Sequence, residues 1–272
     1  MRKATKAWAL LAAICTASLL GGCTYESGTK AFATTNFDQK PDQTTTVQTE
    51  SGAEWLKTAL EKGKTDKEAQ TYWYKGHVKN TILSRSTTSM FNGAVINGKG
   101  YNVDARIAAQ PYSYYRIHDK RYIKANEQFV TAPDEPLAFD VLKGFEDWLP
   151  FMDQAVQLPE EKVIGVVSVP FQLKMTGADW LKNSQSLLFE PLKKQLGDRP
   201  DLDYILKEST IKTTFWFGKE DRRIHQYETW IILPLPEAGT MDQQVMFNLF
   251  KYGDTGGIHI KEPEEVEKYL LY

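Results

Sequence analysis

The sequence predicts an α+β fold, an antiparallel β-sheet with helices packed on one face. Three observations carry that expectation. Residues 72–131 alternate β-branched or aromatic side chains with polar ones, and turn signals divide them into strand-length runs. A capped amphipathic stretch stands just before them, at 51–63. After them, helical and strand-like patterns alternate to residue 252, and tight turns between neighbouring strands favour antiparallel pairing.

The chain opens with Arg2, Lys3 and Lys6, then an apolar stretch from Ala7 to Leu20, then Gly21-Gly22-Cys23. That is the pattern of a secretory signal peptide with the cleavage point of a bacterial lipoprotein. The apolar stretch is shorter than the roughly 20 residues that span a bilayer. Residues 1–22 are therefore expected to be removed, leaving Cys23 as the first residue, with its thiol as the lipid-attachment site. The other cysteine, Cys15, lies in the discarded segment, so no disulfide is expected within the remaining chain. Loss of Arg2, Lys3 and Lys6 takes the formal charge from −2 to −5. A mildly acidic chain is a poor match for nucleic acid or for anionic headgroups, so attachment to the membrane is expected to come from the lipid on Cys23. Thr24 replaces the aspartate that marks inner-membrane retention, which allows sorting to an outer membrane if the host has one.

Residues 23–50 are rich in Thr, Gln, Ser and Asp and read as a flexible tether with a reach of about 30 Å. The remainder, 51–272, is expected to form a single domain. Ser51-Gly52-Ala53-Glu54 is a capping box. Trp55, Leu56, Ala59 and Leu60 form one apolar stripe, and Gly63 stands where a helix ends. A second short cap, Thr65-Asp66-Lys67-Glu68, follows. Strands are expected at 72–83, 89–96, 101–108, 112–117, 121–126 and 128–131. Asn97-Gly98 is a strong hairpin signal, and His118-Asp119-Lys120 marks the next turn. Residues 137–157 read as helix opened by Pro136 and interrupted at Pro150. Strand is expected at 163–175, a helix kinked by Pro191 at 176–197, a solvated acidic loop around Asp198, Asp201 and Asp203, and strands at 209–217, 224–233 and 244–252. A last helix is expected from Pro263 to Leu271.

Catalytic and metal motifs are near misses. Gly93–Lys99 has the spacing of a phosphate-binding loop, but Gly100 stands where Ser or Thr is needed, and the segment reads as strand, turn, strand. Ser209-Thr210-Ile211-Lys212 matches a Ser-x-x-Lys spacing, but on a strand those two residues face opposite sides. His77, His118, His225 and His259 have no metal spacing. The residues nominate no catalytic group, no metal site and no cofactor.

Several late strands carry large apolar groups on both faces. Phe215 and Phe217 oppose Trp216; Tyr227 and Ile231 oppose Trp230 and Ile232. A one-sided sheet would be polar outside. Either helical layers bury both faces, or one face lines an apolar space for an acyl chain or similar ligand.

The order of elements resembles that of the LolA-like group of periplasmic and surface lipoproteins. The likeness lies in the helix at Trp55–Leu60, the segment Tyr74-Lys75-Gly76-His77-Val78 that opens the meander, the hairpins through Tyr122-Ile123-Lys124, and the helices and strands that follow, over residues 52–260. The resemblance implies a half-barrel, a curved antiparallel sheet whose concave face is plugged by helices. The group includes lipoprotein carriers and mycobacterial lipid-binding lipoproteins. The function it implies is a membrane-anchored lipoprotein, without enzymatic activity, that binds a lipid or acylated molecule by apolar burial, worth about 0.8 kcal/mol per methylene. Phe171, Leu173, Phe215 and Trp230, all mid-strand, are the expected wall residues. Soluble carriers of the group lack an anchor, so Cys23 points to a fixed acceptor, receptor or sensor rather than a shuttle. The alternative is a protein-interaction lipoprotein that senses or regulates an envelope partner.

Overall fold

The computed structural model describes residues 50–256 apart from 97, 108–109, 119, 126–127, 132–143, 184–186, 190–191, 194–195 and 237. By its internal contacts Glu50–Tyr272 is one compact unit. The expectations for Cys23, the tether, Asn97, Pro136, Pro191, His259 and the final helix lie outside the described residues.

The first element is helix α1, Gly52–Thr65. The Ser51 hydroxyl accepts from the Glu54 amide and the Glu54 carboxylate accepts from the Ser51 amide, so the capping box is closed on both sides. Gly63 does not end the helix, which runs one further half-turn to a cap at Asp66. No second helix starts at Thr65; the Asp66 carboxylate instead accepts from the Glu68 amide in a turn.

A meander follows: β1 Tyr72–Ile82, β2 Arg85–Ile96, β3 Gly100–Ile107, β4 Gln110–Ile117, β5 Lys120–Ala125 and β6 Gln128–Thr131. A 3₁₀ helix, Phe145–Gln154, holds Pro150 in its middle. Next come β7 Val156–Gln157, β8 Glu161–Val163 and β9 Val166–Thr176, then α2 Gly177–Asn183, a single 3₁₀ turn at Leu187–Phe189 and α3 Leu202–Lys207. The sheet is completed by β10 Thr210–Gly218, β11 Ile224–Leu235 and β12 Gly239–Phe250.

Four expectations are corrected. The strand at 163–175 is a hairpin, because Ile164 and Gly165 both take positive φ, at 48° and 84°, and reverse the chain. The helix expected over 176–197 is interrupted: α-helix at Gly177–Asn183 gives way to the 3₁₀ turn, and residues 192, 193 and 196 are α-helical again. The acidic loop is α3 and its lead-in: Asp201 pairs with Arg199 and stands at the N-cap, and Asp203 pairs with Lys207 one turn on. The last strand starts at Gly239 rather than 244, since Gly239–Gln243 pair with β11 and Met241–Gln243 also with β1.

The strands form one antiparallel sheet in the order β6-β5-β4-β3-β2-β1-β12-β11-β10-β9-β7, with β8 on β9. The pairing of β1 with β12 joins the two halves of the chain. One face is covered. Trp55 of α1 lies 5.9 Å from the rings of Phe171 and Phe217. Phe145 of the 3₁₀ helix meets Phe215 and Tyr227 edge-on at 5.4 and 4.7 Å. The architecture is an α+β half-barrel with helices on its concave face.

A row of side chains crosses this face: Phe171, Phe215, Tyr227, Phe247, Gly76, Phe91 and Ala105 stand in register on seven strands. Gly76 breaks the aromatic series for a packing reason. A Cβ there would sit 2.4 Å from the Phe247 ring. The bare backbone lets the rings of Phe247 and Phe91 meet above it at 6.0 Å. The convex face has no helical layer among the described residues. Its apolar side chains shelter under charged neighbours instead: the Lys75 ammonium lies over Phe250, Lys251 over Trp73, and the Trp216 indole donates to Glu161. The two-sided burial read from the sequence is therefore helices on one face and amphipathic side chains on the other.

Candidate functional site

The strand positions expected to line a cavity do not form one wall. Phe171, Leu173 and Phe215 share the concave face but are fully covered, at 0, 2 and 0 % exposure. They lie in the aromatic core under the helices. Trp230 pairs with Lys212 and Gln244 on the convex face and is half-buried. The helices cover β9–β11 with Trp55, Phe145, Trp148 and Trp180, which join Phe171, Leu173 and Phe215 in one buried cluster.

Among the described residues, open space lies at one end of the sheet, over β1–β4. A groove of about 830 Å³ runs between the C-terminal half of α1 and the ends of these strands. Its volume is within the range of about 300–1,000 Å³ that ordinary ligand sites occupy. Leu60, Tyr72, Val95, Tyr101, Phe145 and Leu249 supply apolar wall. Here the concave-face side chains Val95 and Tyr101 are only half-buried, unlike those under the helices. Lys64, Lys99, Arg116 and Arg223 also line the groove, as does Glu146, which pairs with Lys64 at 2.6 Å.

Local sequence positions each wall. The turn after β2 closes with the Lys99 amide donating to the Ile96 carbonyl, and Gly98 takes φ of +72° there. This lifts Lys99 to the groove edge while Val95 and Tyr101, opposite each other in the β2–β3 ladder, face inward. Tyr101 stands 5.8 Å from Tyr114. At the other wall Tyr72 and Tyr252 meet at 5.5 Å. The Tyr252 hydroxyl donates to the Ile224 carbonyl, and burial holds its pKa far above the usual phenol range.

The turn between β10 and β11 clamps α1 in place. The Arg222 guanidinium stacks 3.4 Å over Trp55 and pairs with Glu50. Lys62 donates to the Asp221 carbonyl at 2.7 Å. Arg223 pairs with Asp66 at 2.7 Å and Glu68 at 3.3 Å. The hydrogen bond from Arg223 holds the Asp66 carboxyl below its ordinary value. Burial opposes ionisation of Asp221, yet the hydrogen bonds from His225 and the Arg223 amide lower its pKa as well. His225 therefore belongs to this clamp, with Nε2 at 2.9 Å from Asp221. His77 sits on β1 and His118 in the turn after β4; among the described residues no cluster of His, Cys, Asp or Glu has the geometry of a metal site.

The arrangement can bury an apolar body without covalent chemistry. Sequence reasoning missed the groove because it weighted strand centres, whereas the space opens at strand ends. The usable signal was the Asn97-Gly98-Lys99-Gly100 turn, which places a cation beside two inward-facing residues.

No protein-family model matches the chain, and no curated protein sequence matches it. Solved structures similar to it include the lipoprotein LppX of Mycobacterium tuberculosis, at 10% identity and a TM-score of 0.41, covering 77% of this chain and 97% of that one. LprF of Mycobacterium bovis is similar at 11% identity and a TM-score of 0.35, covering 78% and 96%. A LolA superfamily protein of Nitrosomonas europaea is similar at 8% identity and a TM-score of 0.28, covering 74% and 92%. What the groove can do has to come from its own geometry. Strand order and the helix-plugged concave face, read on this chain itself, make the architecture an α+β half-barrel.

Proposed function

We infer that the protein is an extracytoplasmic lipoprotein, held to its membrane by a lipid on Cys23, whose half-barrel binds a lipid or acylated molecule. The observation that supports this best is the groove of about 830 Å³ with apolar side chains along its length, beside the filled concave face of β9–β11. Binding is by apolar burial, and each methylene that enters contributes about 0.8 kcal/mol. The charged residues of the lining, Lys64, Lys99, Arg116 and Glu146, stay with water and the ligand's polar end. The role proposed for the groove is to hold its ligand non-covalently.

The test is native mass spectrometry and solvent extraction of the mature protein purified from membranes. A diacylated Cys23 and a second, non-covalent lipid are expected. Val95→Trp should fill the groove and release the non-covalent lipid while the protein stays folded. Equal lipid content in the parent and in Val95→Trp would remove the groove from consideration.

A further inference from the structure

We propose that the groove end of the half-barrel docks on the protein's own bilayer, with the β8–β9 hairpin tip entering the lipid interface, so that the groove opens toward the membrane that holds the anchor. This rests on the lipoprotein reading of Cys23 given above. Three placements lead to it.

The first is the root of the anchor. Glu50 is pinned by Arg222, in the turn after β10. In the antiparallel sheet the end of β10 lies with the starts of β1 and β11 and the ends of β2, β4 and β12. The anchor therefore enters at the end of the sheet that carries the groove. Cys23–Thr49 is 27 residues. Taken as the open chain its composition predicts, it spans about 30 Å. The opposite end of the sheet is about 36 Å further off, the length of the 11-residue β1. On average a chain of that span keeps the near end closer to lipid than the far end.

The second placement is the hairpin tip. The run Val163-Ile164-Gly165-Val166-Val167 reverses at this same end, beside the turn after β10, where the Lys219 amide donates to the Val167 carbonyl. Ile164 and Val167 are 41 and 46 % exposed. Ile164 takes φ of +48°, a conformation costly for a β-branched residue, at a turn position that Asn or Asp fills more easily. Folding alone gives no reason for aliphatic side chains there. The third placement is the mouth of the groove, where Lys99 and His118 stand in turns of that end. The hairpin carries Glu160, Glu161 and Lys162 behind its tip, so charge does not drive the docking. The contact is apolar.

Leu83 provides the control. It is 69 % exposed at a turn with φ of 47°, but at the far end of β1. Exposed aliphatic character alone would favour Leu83; the anchor geometry favours Ile164.

The experiment uses the mature lipidated protein in vesicles of phosphatidylcholine and phosphatidylglycerol. Ile164→Cys, Val167→Cys and Leu83→Cys are labelled with an environment-sensitive fluorophore, Cys23 being blocked by its lipid. Quenching by nitroxide-bearing lipids should be several-fold stronger at positions 164 and 167 than at 83, and unchanged between low and high salt. Equal quenching at all three positions, strong quenching at 83 alone, or loss at high salt overturns the proposal. A second variant separates docking from folding. Ile164→Asn should leave the domain as stable or more so, yet weaken quenching of a label at 167. Destabilisation with quenching intact would assign Ile164 a structural role and overturn the proposal too. The anchor and the ligand are read separately, by the mass of the mature protein and by its extracted lipid, so failure of the docking is distinguishable from failure of the lipoprotein reading.

Discussion

Replacing Gly76 by alanine adds one methyl group at the point where the concave face is most crowded. The new Cβ would stand 2.2 Å from the Met246 carbonyl oxygen and 2.4–2.5 Å from two atoms of the Phe247 ring. Neither neighbour yields cheaply. The carbonyl belongs to the β1–β12 ladder, and the ring is fully buried between Tyr227, Tyr74 and Phe91. Overpacking of this kind costs about 1–3 kcal/mol. Against it stands a gain of about 0.5–1 kcal/mol from removing glycine's freedom in a strand. The net expectation is a loss of about 1–2 kcal/mol, a fall in Tm of about 2–8 °C for a domain of this size. Urea denaturation should show a lower midpoint with an unchanged slope. Phe247→Leu in the Gly76→Ala background should recover part of the loss, because the smaller side chain vacates the contested volume. A Gly76→Ala protein at least as stable as the parent would refute the reasoning, since propensity would then have outweighed the clash.

Further outcomes follow from the same contacts. Phe215→Ala should cost about 3–5 kcal/mol, as for any fully buried aromatic, and leave bound lipid unchanged; loss of lipid with little loss of stability would restore Phe215 to a ligand wall. Ser51→Ala opens the capping box and should cost about 1 kcal/mol, measured by chemical denaturation. Asp66 and Asp221 both have pKa values held below 3.8 in the folded state, so their contribution is present above that pH and is lost as pH falls through the folded values. Asp221→Asn should therefore flatten the acid limb of the stability curve below about pH 4, and an acid limb identical to the parent's would count against the clamp. Asp242 has the opposite sign. Burial raises its pKa, so the charged form is disfavoured in the folded state, and Asp242→Asn should stabilise the protein at pH 7 with the advantage shrinking toward pH 3. A curve parallel to the parent's across that range would show that the burial of Asp242 carries no such penalty.

Much of the fold was legible because its signals are local. The capping box at Ser51 needs four residues, and each strand of the meander shows its period in six to eight. Strand 72–83 and the hairpin at Gly98 fall where alternation and turn chemistry place them. The Ile164-Gly165 reversal was not legible, because an isoleucine at positive φ contradicts residue preference and is held by the flanking ladder of β8 and β9. Helix α3 was missed because Asp201 and Asp203 read as loop residues, whereas Ile205 is fully buried where the helix packs on β11, far off in sequence. The site shows the same division. Choosing Phe171, Leu173, Phe215 and Trp230 for their mid-strand positions overlooked the alternation across β10 and β11, where Trp230 pairs with Lys212 and falls on the other face. Which part of that face is plugged depends on where the 3₁₀ helix lands, and that is set by contacts between Phe145 and residues 70 to 82 positions later.

The pairing of β1 with β12 has a consequence for how the chain reaches this state. Tyr74 and Leu249 are partners 175 positions apart, and the clamp on α1 likewise waits for Asp221–Arg223. A ribosome releases the chain from its N-terminus, so β1 emerges long before its neighbour exists. Until β12 arrives, one side of β1 presents unpaired amides and carbonyls, and Trp55 and Leu56 have no floor to cover. Pairing across such a distance in sequence is slow, and an open strand edge invites the wrong partner. The half-barrel thus depends on being kept apart from other chains until its last strand is delivered.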